Sequence, residues 1–167
     1  MDINSELKVI GEYKSFPFMG PNTPGVPKYN TPLTPRENLF RFLKGEGMWT
    51  PVGTDFLFFL PRIIPDNVAR VFVIDGEPVD YKSMTGGKDW FNVEWEYVPQ
   101  AGGSMVRPGN PLLVPDLSHW EDYVVFPDLD ALDWEKSAEE NRPYIHEDRI
   151  VEMWIFSGFF ERLISFM

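Results

Sequence analysis

The sequence predicts an α/β fold in which a few parallel strands are accompanied by an antiparallel hairpin, and three stretches predict it. "RIVEMWIF", residues 149–156, is almost continuously apolar, the pattern of a parallel strand covered on both faces. It runs through the tight turn Ser157-Gly158 into "FFERLISFM", where Phe159, Phe160, Leu163, Ile164 and Met167 recur at helical spacing, so strand, turn and helix make one β/α unit. "FNVEWEYV", residues 91–98, alternates instead: Phe91, Val93, Trp95 and Tyr97 fall on one face and Asn92, Glu94 and Glu96 on the other. That is a strand with one buried and one wet face.

The composition bounds what such a chain can be. Its 167 residues are 43% hydrophobic and 16% aromatic, enough for a packed core in one domain. The net charge of -11, from 26 acidic against 15 basic residues, argues against a nucleic-acid partner. Cysteine is absent, which removes disulfides, thiolate nucleophiles and cysteine-based metal sites. The start "MDINSELKVIGEYKSF" has neither the basic opening nor the apolar run of a signal peptide, and no segment reaches ~18 uninterrupted apolar residues. A cytoplasmic chain that does not enter the membrane is expected.

Taken in order, residues 1–33 are expected to form an extended N-terminal arm, because residues 16–35 carry six prolines. "TPRENLFRFLKGEG" then predicts a helix over 35–44. Thr34 is its N-cap, Pro35 its first residue, Glu37 closes a capping box, and Gly45 or Gly47 supplies the left-handed stop. Leu39, Phe40 and Leu43 share one face of it. "MWTPVGTDF" reads as a buried strand whose end displays Thr54, Asp55 and Phe56. Pro61 and Pro65 break any long helix after it, and "ARVFVIDG" reads as a strand leading to a turn. With the loop "PQAGG", residues 91–107 make a hairpin outside any parallel sheet. Residues 115–141 read as loop with short helical turns, Ser118 capping one of them.

Few residues stand out chemically. His119 and His146 are the only histidines, and each sits in a polar segment without a second ligand at metal-site spacing. The acid pairs Glu121–Asp122 and Asp128–Asp130 read as surface and helix-cap charges. In "GGKDWFNVEWEY", Glu94 and Trp95 put a carboxylate beside flat apolar surface and could frame a ring-bearing ligand, while the same residues also suit a plain half-buried hairpin. "GTDF" and "IFSG" are placed at strand ends, which nominates Thr54, Asp55, Phe56, Trp154, Phe156 and Ser157 as the lining of a pocket at one sheet edge. The pairs "AGG" and "TGG" lack the strand-to-helix setting of a nucleotide-binding loop.

The order "TPRENLFRFLKGEG", "TPVG", "GGKDWFNVEWEYVPQAGGSMVRPGNPLL", "FPDLDALDWE", "SGFFERLISFM" resembles the N-terminal portion of the uroporphyrinogen decarboxylase-like superfamily, across most of residues 34–167. The resemblance implies a (β/α)8 TIM barrel of which this chain carries an incomplete part, since such a barrel needs ~250 residues. Its final helix, uncapped at Met167, fits a cut within a β/α unit. Decarboxylases of the superfamily carry an arginine-rich motif after the first barrel strand. Here "GTDFLFFLPRIIPDNVAR" offers only Arg62 and Arg70, and the hairpin-like "DWFNVEWEYVPQAGGSM" resembles instead the branch that moves methyl groups from methoxylated aromatics or methylamines to a corrinoid protein.

That branch implies a zinc-type Lewis acid, held by Cys and His of later strands, or a pocket carboxylate to activate the methyl donor or acceptor, and a corrinoid on a partner protein; no cofactor is expected in this chain itself. Two alternatives stay open: a decarboxylase-like lyase with an altered motif, and a non-catalytic module that completes a barrel with a partner chain. An interrupted parallel sheet would leave a bare edge and a bare helix face, so a homodimer through residues 150–167 is expected.

Overall fold

The structure, a computed structural model, describes residues 3–17, 22–78, 80, 85–107, 109 and 112–167. Among them lie five short helices and three small sheets, a mixed α/β arrangement in which no barrel closes. Its central feature is the pairing of β3 (Phe56–Phe59) with β7 (Ile150–Met153). The two run parallel in register, Phe56 beside Ile150 and Phe59 beside Met153, and the Trp154 amide extends the ladder to the Phe59 carbonyl at 2.9 Å. The strand predicted from "RIVEMWIF" is therefore present and parallel. Its partner begins where the sequence reading had it end, at Phe56. The polar side chain of Asp55 accepts the Val52 N–H across a single helical turn over Gly53–Asp55, and only the apolar run after it enters the sheet.

After β3 the chain turns through α3 (Pro65–Ala69), which Pro65 opens. Its end is a Schellman closure: Val71 donates to the Val68 carbonyl at 2.9 Å and Phe72 to the Asn67 carbonyl at 2.8 Å. The residue in the left-handed position, with φ 60°, is Val71 where glycine is the usual occupant. Val71 is buried, so packing offsets the backbone strain. "ARVFVIDG" makes no strand of its own beyond one bridge, Ile74 to Leu60.

The predicted hairpin is formed by β5 (Glu94–Val98) and β6 (Gly103–Val106), and a third strand, β4 (Gly86–Lys88), flanks β5. Gly86 is required there: at φ 98° a Cβ would lie 2.2 Å from the Trp95 carbonyl oxygen. Val93 and Trp95 point from this sheet into a core with Ala69, against which Phe91, Val106, Leu113 and Phe166 pack.

The N-terminal segment departs from an extended arm. After α1 (Ile3–Glu6), β1 (Val9–Tyr13) pairs antiparallel with β2 (Val26–Tyr29). Phe16 is buried with Leu57 and Phe59, its ring stacked 5.7 Å from Phe59 and 4.6 Å from Tyr144. Prolines in a short edge ribbon cost few ladder bonds, which is why they do not prevent it.

Helix α2 (Pro35–Phe42) has both halves of its capping box: Glu37 donates from its backbone to Thr34 Oγ1 at 3.2 Å, and Thr34 N–H donates to Glu37 Oε2 at 2.9 Å. Its facing is the reverse of its apolar pattern. Phe40 and Leu43 are 56% and 72% exposed, while Asn38 is fully buried and binds Met48 N–H, Trp49 N–H and the Trp49 carbonyl. In the chain between β6 and β7, α4 (Trp134–Asn141) packs Asn141 against Gly76, whose N–H it accepts at 2.7 Å. α5 (Phe159–Phe166) ends the described chain. No helix of the described residues is long and apolar enough to cross a membrane.

Candidate functional site

The residues nominated from the sequence divide between the two ends of the β3–β7 pair. Thr54, Asp55 and Phe56 lie at the end where both strands begin; Trp154, Phe156 and Ser157 follow β7 at the end where both finish. Four strand residues at ~3.3 Å each separate the groups by roughly 13 Å. One pocket edge shared by all six is thus corrected, because the polar turn at Asp55 precedes β3.

At the starting edge, the Asp55 carboxylate accepts from Val52 N–H and from the Trp49 indole, both at 3.0 Å. Arg149, buried at the start of β7, donates to the Thr54 carbonyl at 3.1 Å and to the Phe56 carbonyl, and its guanidinium lies 5.1 Å from the Tyr13 ring. Burial lowers the Arg149 pKa. Tyr13 donates to Asp148 at 3.1 Å; burial first, then the Asp148 charge and hydrogen bond, push its phenol up to about 12. Above this floor is a cavity of about 380 Å3 whose walls include Tyr13, Tyr29, Met48 and Trp49 beside Thr54 and Asp55. It is mostly apolar and open on one side, and it suits a ring-sized ligand. Of its polar lining, the Tyr13 phenol is committed to Asp148 and the Asp55 carboxylate to Val52 N–H and the Trp49 indole.

At the finishing edge the dominant group is Asn67. Its amide is fully buried and donates to the Pro61 and Trp154 carbonyls at 3.1 and 3.2 Å, while its oxygen accepts the Phe156 N–H at 2.9 Å. This fixes the segment after β7 onto the segment after β3. Phe156 is stacked on Phe72 at 4.2 Å with rings 7° apart. Arg70 lies between Phe156 and Trp95, 5.6 and 4.4 Å from their ring centres, and pairs with Glu161 at 2.6 Å. Phe58 and Trp154 meet edge to face at 5.3 Å, both part-exposed, and form the open aromatic surface of this end. The Ser157 hydroxyl is buried without a hydrogen-bond partner.

Beneath this surface is a closed ionic cluster. Arg162 of α5 bonds both Asp66 and Asp89, and the Trp95 indole donates to Asp89 at 2.8 Å. Burial raises the Asp89 pKa against the opposing bonds from Trp95, Phe91 N–H and Val93 N–H, and burial pulls Arg162 down to about 10. The pairing offsets part of the cost of burying these groups. Trp95 is consequently a core residue, 3% exposed, whereas Glu94 faces outward and pairs with Arg107 at 2.6 Å. The hairpin therefore supports the finishing edge from below.

Asp66, Asn67, Arg70, Asp89 and Arg162 were not nominated by the sequence. The available signal was Arg162 in a mostly apolar helical stretch, and "PDN" at Pro65, which reads locally as an ordinary helix start. The donor set does not fit zinc: there is no cysteine, His119 is exposed beside Asp116 at 3.1 Å, and His146 packs on Tyr13 with ring centres 5.3 Å apart. Comparison with family models, with curated proteins and with solved structures found no match to this chain.

Proposed function

We propose that the chain is the N-terminal portion of a uroporphyrinogen decarboxylase-like methyltransferase, which in complete form moves a methyl group from a small methoxylated aromatic donor to a corrinoid protein. This portion supplies a wall for the donor and no complete catalytic cycle. The observation that carries the reading is the parallel register of β3 and β7: the strand read in "RIVEMWIF" lies beside the apolar run that follows the strand expected in "MWTPVGTDF", and the two finish at one edge. Enzymes of barrel architecture build their sites at that edge. There Phe58 and Trp154 offer a part-exposed aromatic surface, their rings meeting edge to face, with Asn67 holding the Trp154 backbone in place.

The lyase reading has less support. A decarboxylase-like site needs free cations for substrate carboxylates, yet Arg62 pairs with Asp75 at 3.5 Å and Arg70 with Glu161. The reading as an interaction module is favoured by one observation, the outward apolar face of α5.

Titration of the isotope-labelled chain with a methoxylated benzoate, followed through the indole N–H signals, tests the proposal. The Trp154 signal is expected to shift at millimolar donor and the shift to vanish in Phe58→Ala, with the Trp49 signal unmoved. No indole shift at all would overturn it, and a shift confined to Trp49 would move the binding site to the cavity at the opposite edge.

A further inference from the structure

Between Arg149 and Glu161 the chain carries a single charged residue, Glu152, in the middle of β7. The rest of that strand is apolar in the manner of one covered on both faces, a setting in which an unpaired carboxylate is costly. Glu152 lies beside Phe58 in the parallel register, and Trp154, two residues on, shares its face. Phe56 stacks near Phe58 at 6.3 Å, and the Phe58 and Trp154 rings meet at 5.3 Å. One half-buried carboxylate is thus set among three aromatic side chains.

Its bonding is half complete. The Trp154 indole donates to Oε2 at 3.1 Å, which holds that ring; among the described residues Oε1 accepts no hydrogen bond and no cation pairs with the group. The arginines nearest in the chain are committed elsewhere: Arg149 to the Thr54 and Phe56 carbonyls, Arg62 to Asp75 and Arg70 to Glu161. A neutral amide would also hold the indole, so orienting Trp154 does not by itself account for a charge here. A barrel completed around this face would enclose the carboxylate, and an enclosed carboxylate needs donors for both oxygens.

We propose that Glu152 determines which rings the surface of Phe58 and Trp154 accepts: a neutral ring that brings its own hydroxyl or N–H, donated to Oε1, in preference to a ring that carries a carboxylate. This rests on the reading of that surface as the donor wall and narrows it. A hydrogen bond to a charged acceptor is about twice as strong as a neutral one. A carboxylate on the ligand instead meets Glu152 as a like charge and leaves Oε1 unbonded. For a half-buried group each effect amounts to a preference on the order of tenfold.

Titrations of the isotope-labelled chain with para-methoxyphenol, methoxybenzene and para-methoxybenzoate, followed at the Trp154 indole N–H, test the proposal. The phenol should half-saturate the signal at a concentration on the order of tenfold below methoxybenzene, both being neutral, and the benzoate should need the highest of the three. Glu152→Gln is isosteric, keeps an acceptor for the indole and should leave circular dichroism unchanged. It should bring the benzoate close to methoxybenzene, whereas Glu139→Gln, which removes an exposed charge from α4, should not. A phenol that binds no tighter than methoxybenzene to the wild type overturns the proposal without any variant. So does a benzoate handicap that survives Glu152→Gln, or that Glu139→Gln relieves as much, the mark of general repulsion by the net charge of -11. Those results leave the aromatic wall standing, because Trp154 still reports binding; no Trp154 shift with any of the three rings fails the wall and the proposal together.

Discussion

Arg162 reaches back from the last helix to Asp66 at the start of α3, 96 residues earlier in the chain. The same guanidinium bonds Asp89, and the face of the Phe91 ring lies 4.7 Å from its centre. One side chain therefore joins three segments that follow β3, precede β5 and follow β7, and it orients the helix that carries it.

Removing that cation should be costly. Arg162→Ala leaves two buried carboxylates facing each other and is expected to destabilise the fold by about 3–5 kcal/mol in urea unfolding. The triple change Arg162→Met, Asp66→Asn, Asp89→Asn removes the charges together and should recover a large part of the loss. Equal stability of the single and triple variants would show that the ion cluster is not what holds α5.

Asn67 should behave as a splice between the two strand ends. Asn67→Ala strands the Phe156 N–H and two carbonyls in a buried place, a loss of about 2–4 kcal/mol. Hydrogen exchange at the Phe156 amide should accelerate in the variant far more than exchange at the hairpin amides of β5. Uniform acceleration would instead indicate a global effect.

Val71 predicts an inverted order of substitutions. At an ordinary buried position glycine is worse than alanine; at φ 60° alanine keeps the left-handed penalty of about 1 kcal/mol that glycine escapes. Val71→Gly should therefore be no less stable than Val71→Ala, with both below wild type by about 1–3 kcal/mol through lost packing. Thermal midpoints of the two variants decide it.

The N-terminal ribbon should detach at both pH extremes. Burial pushes Asp148 up, but the hydrogen bond and charge of Lys28, then the Tyr13 hydroxyl, outweigh it and hold its pKa below the ordinary 3.8. Its folded pKa is depressed, so its contribution is present above about pH 4 and lost as pH falls through the folded value. Tyr13 is raised from 10.0 to about 12, so its contribution is present below pH 10 and lost between 10 and 12. Melting temperatures of wild type and Tyr13→Phe should differ across the neutral range and converge above pH 12; a difference constant up to that pH would contradict the assignment.

What the sequence determined by itself is local. The capping box at Thr34, the strand over 150–153, the hairpin of 94–106 and the final helix all depend on sterics, hydrogen bonds and side-chain periodicity within a few residues, and all four are present. The candidate site was legible only in part. Trp154 and Phe156 do lie at the strand end expected of them, but Thr54 and Asp55 lie at the other, because the strand boundary was decided by Asp55 accepting Val52 N–H and the Trp49 indole. Tertiary structure alone decided which way the helices face. Asn38 and Arg162 sit on polar sides that local patterning assigns to water, and each is buried because partners elsewhere in the fold satisfy it: the 48–49 backbone for one, Asp66 and Asp89 for the other. A buried polar group bonded to distant chain leaves no periodic trace in its own segment, and desolvation makes that bond outweigh the pattern.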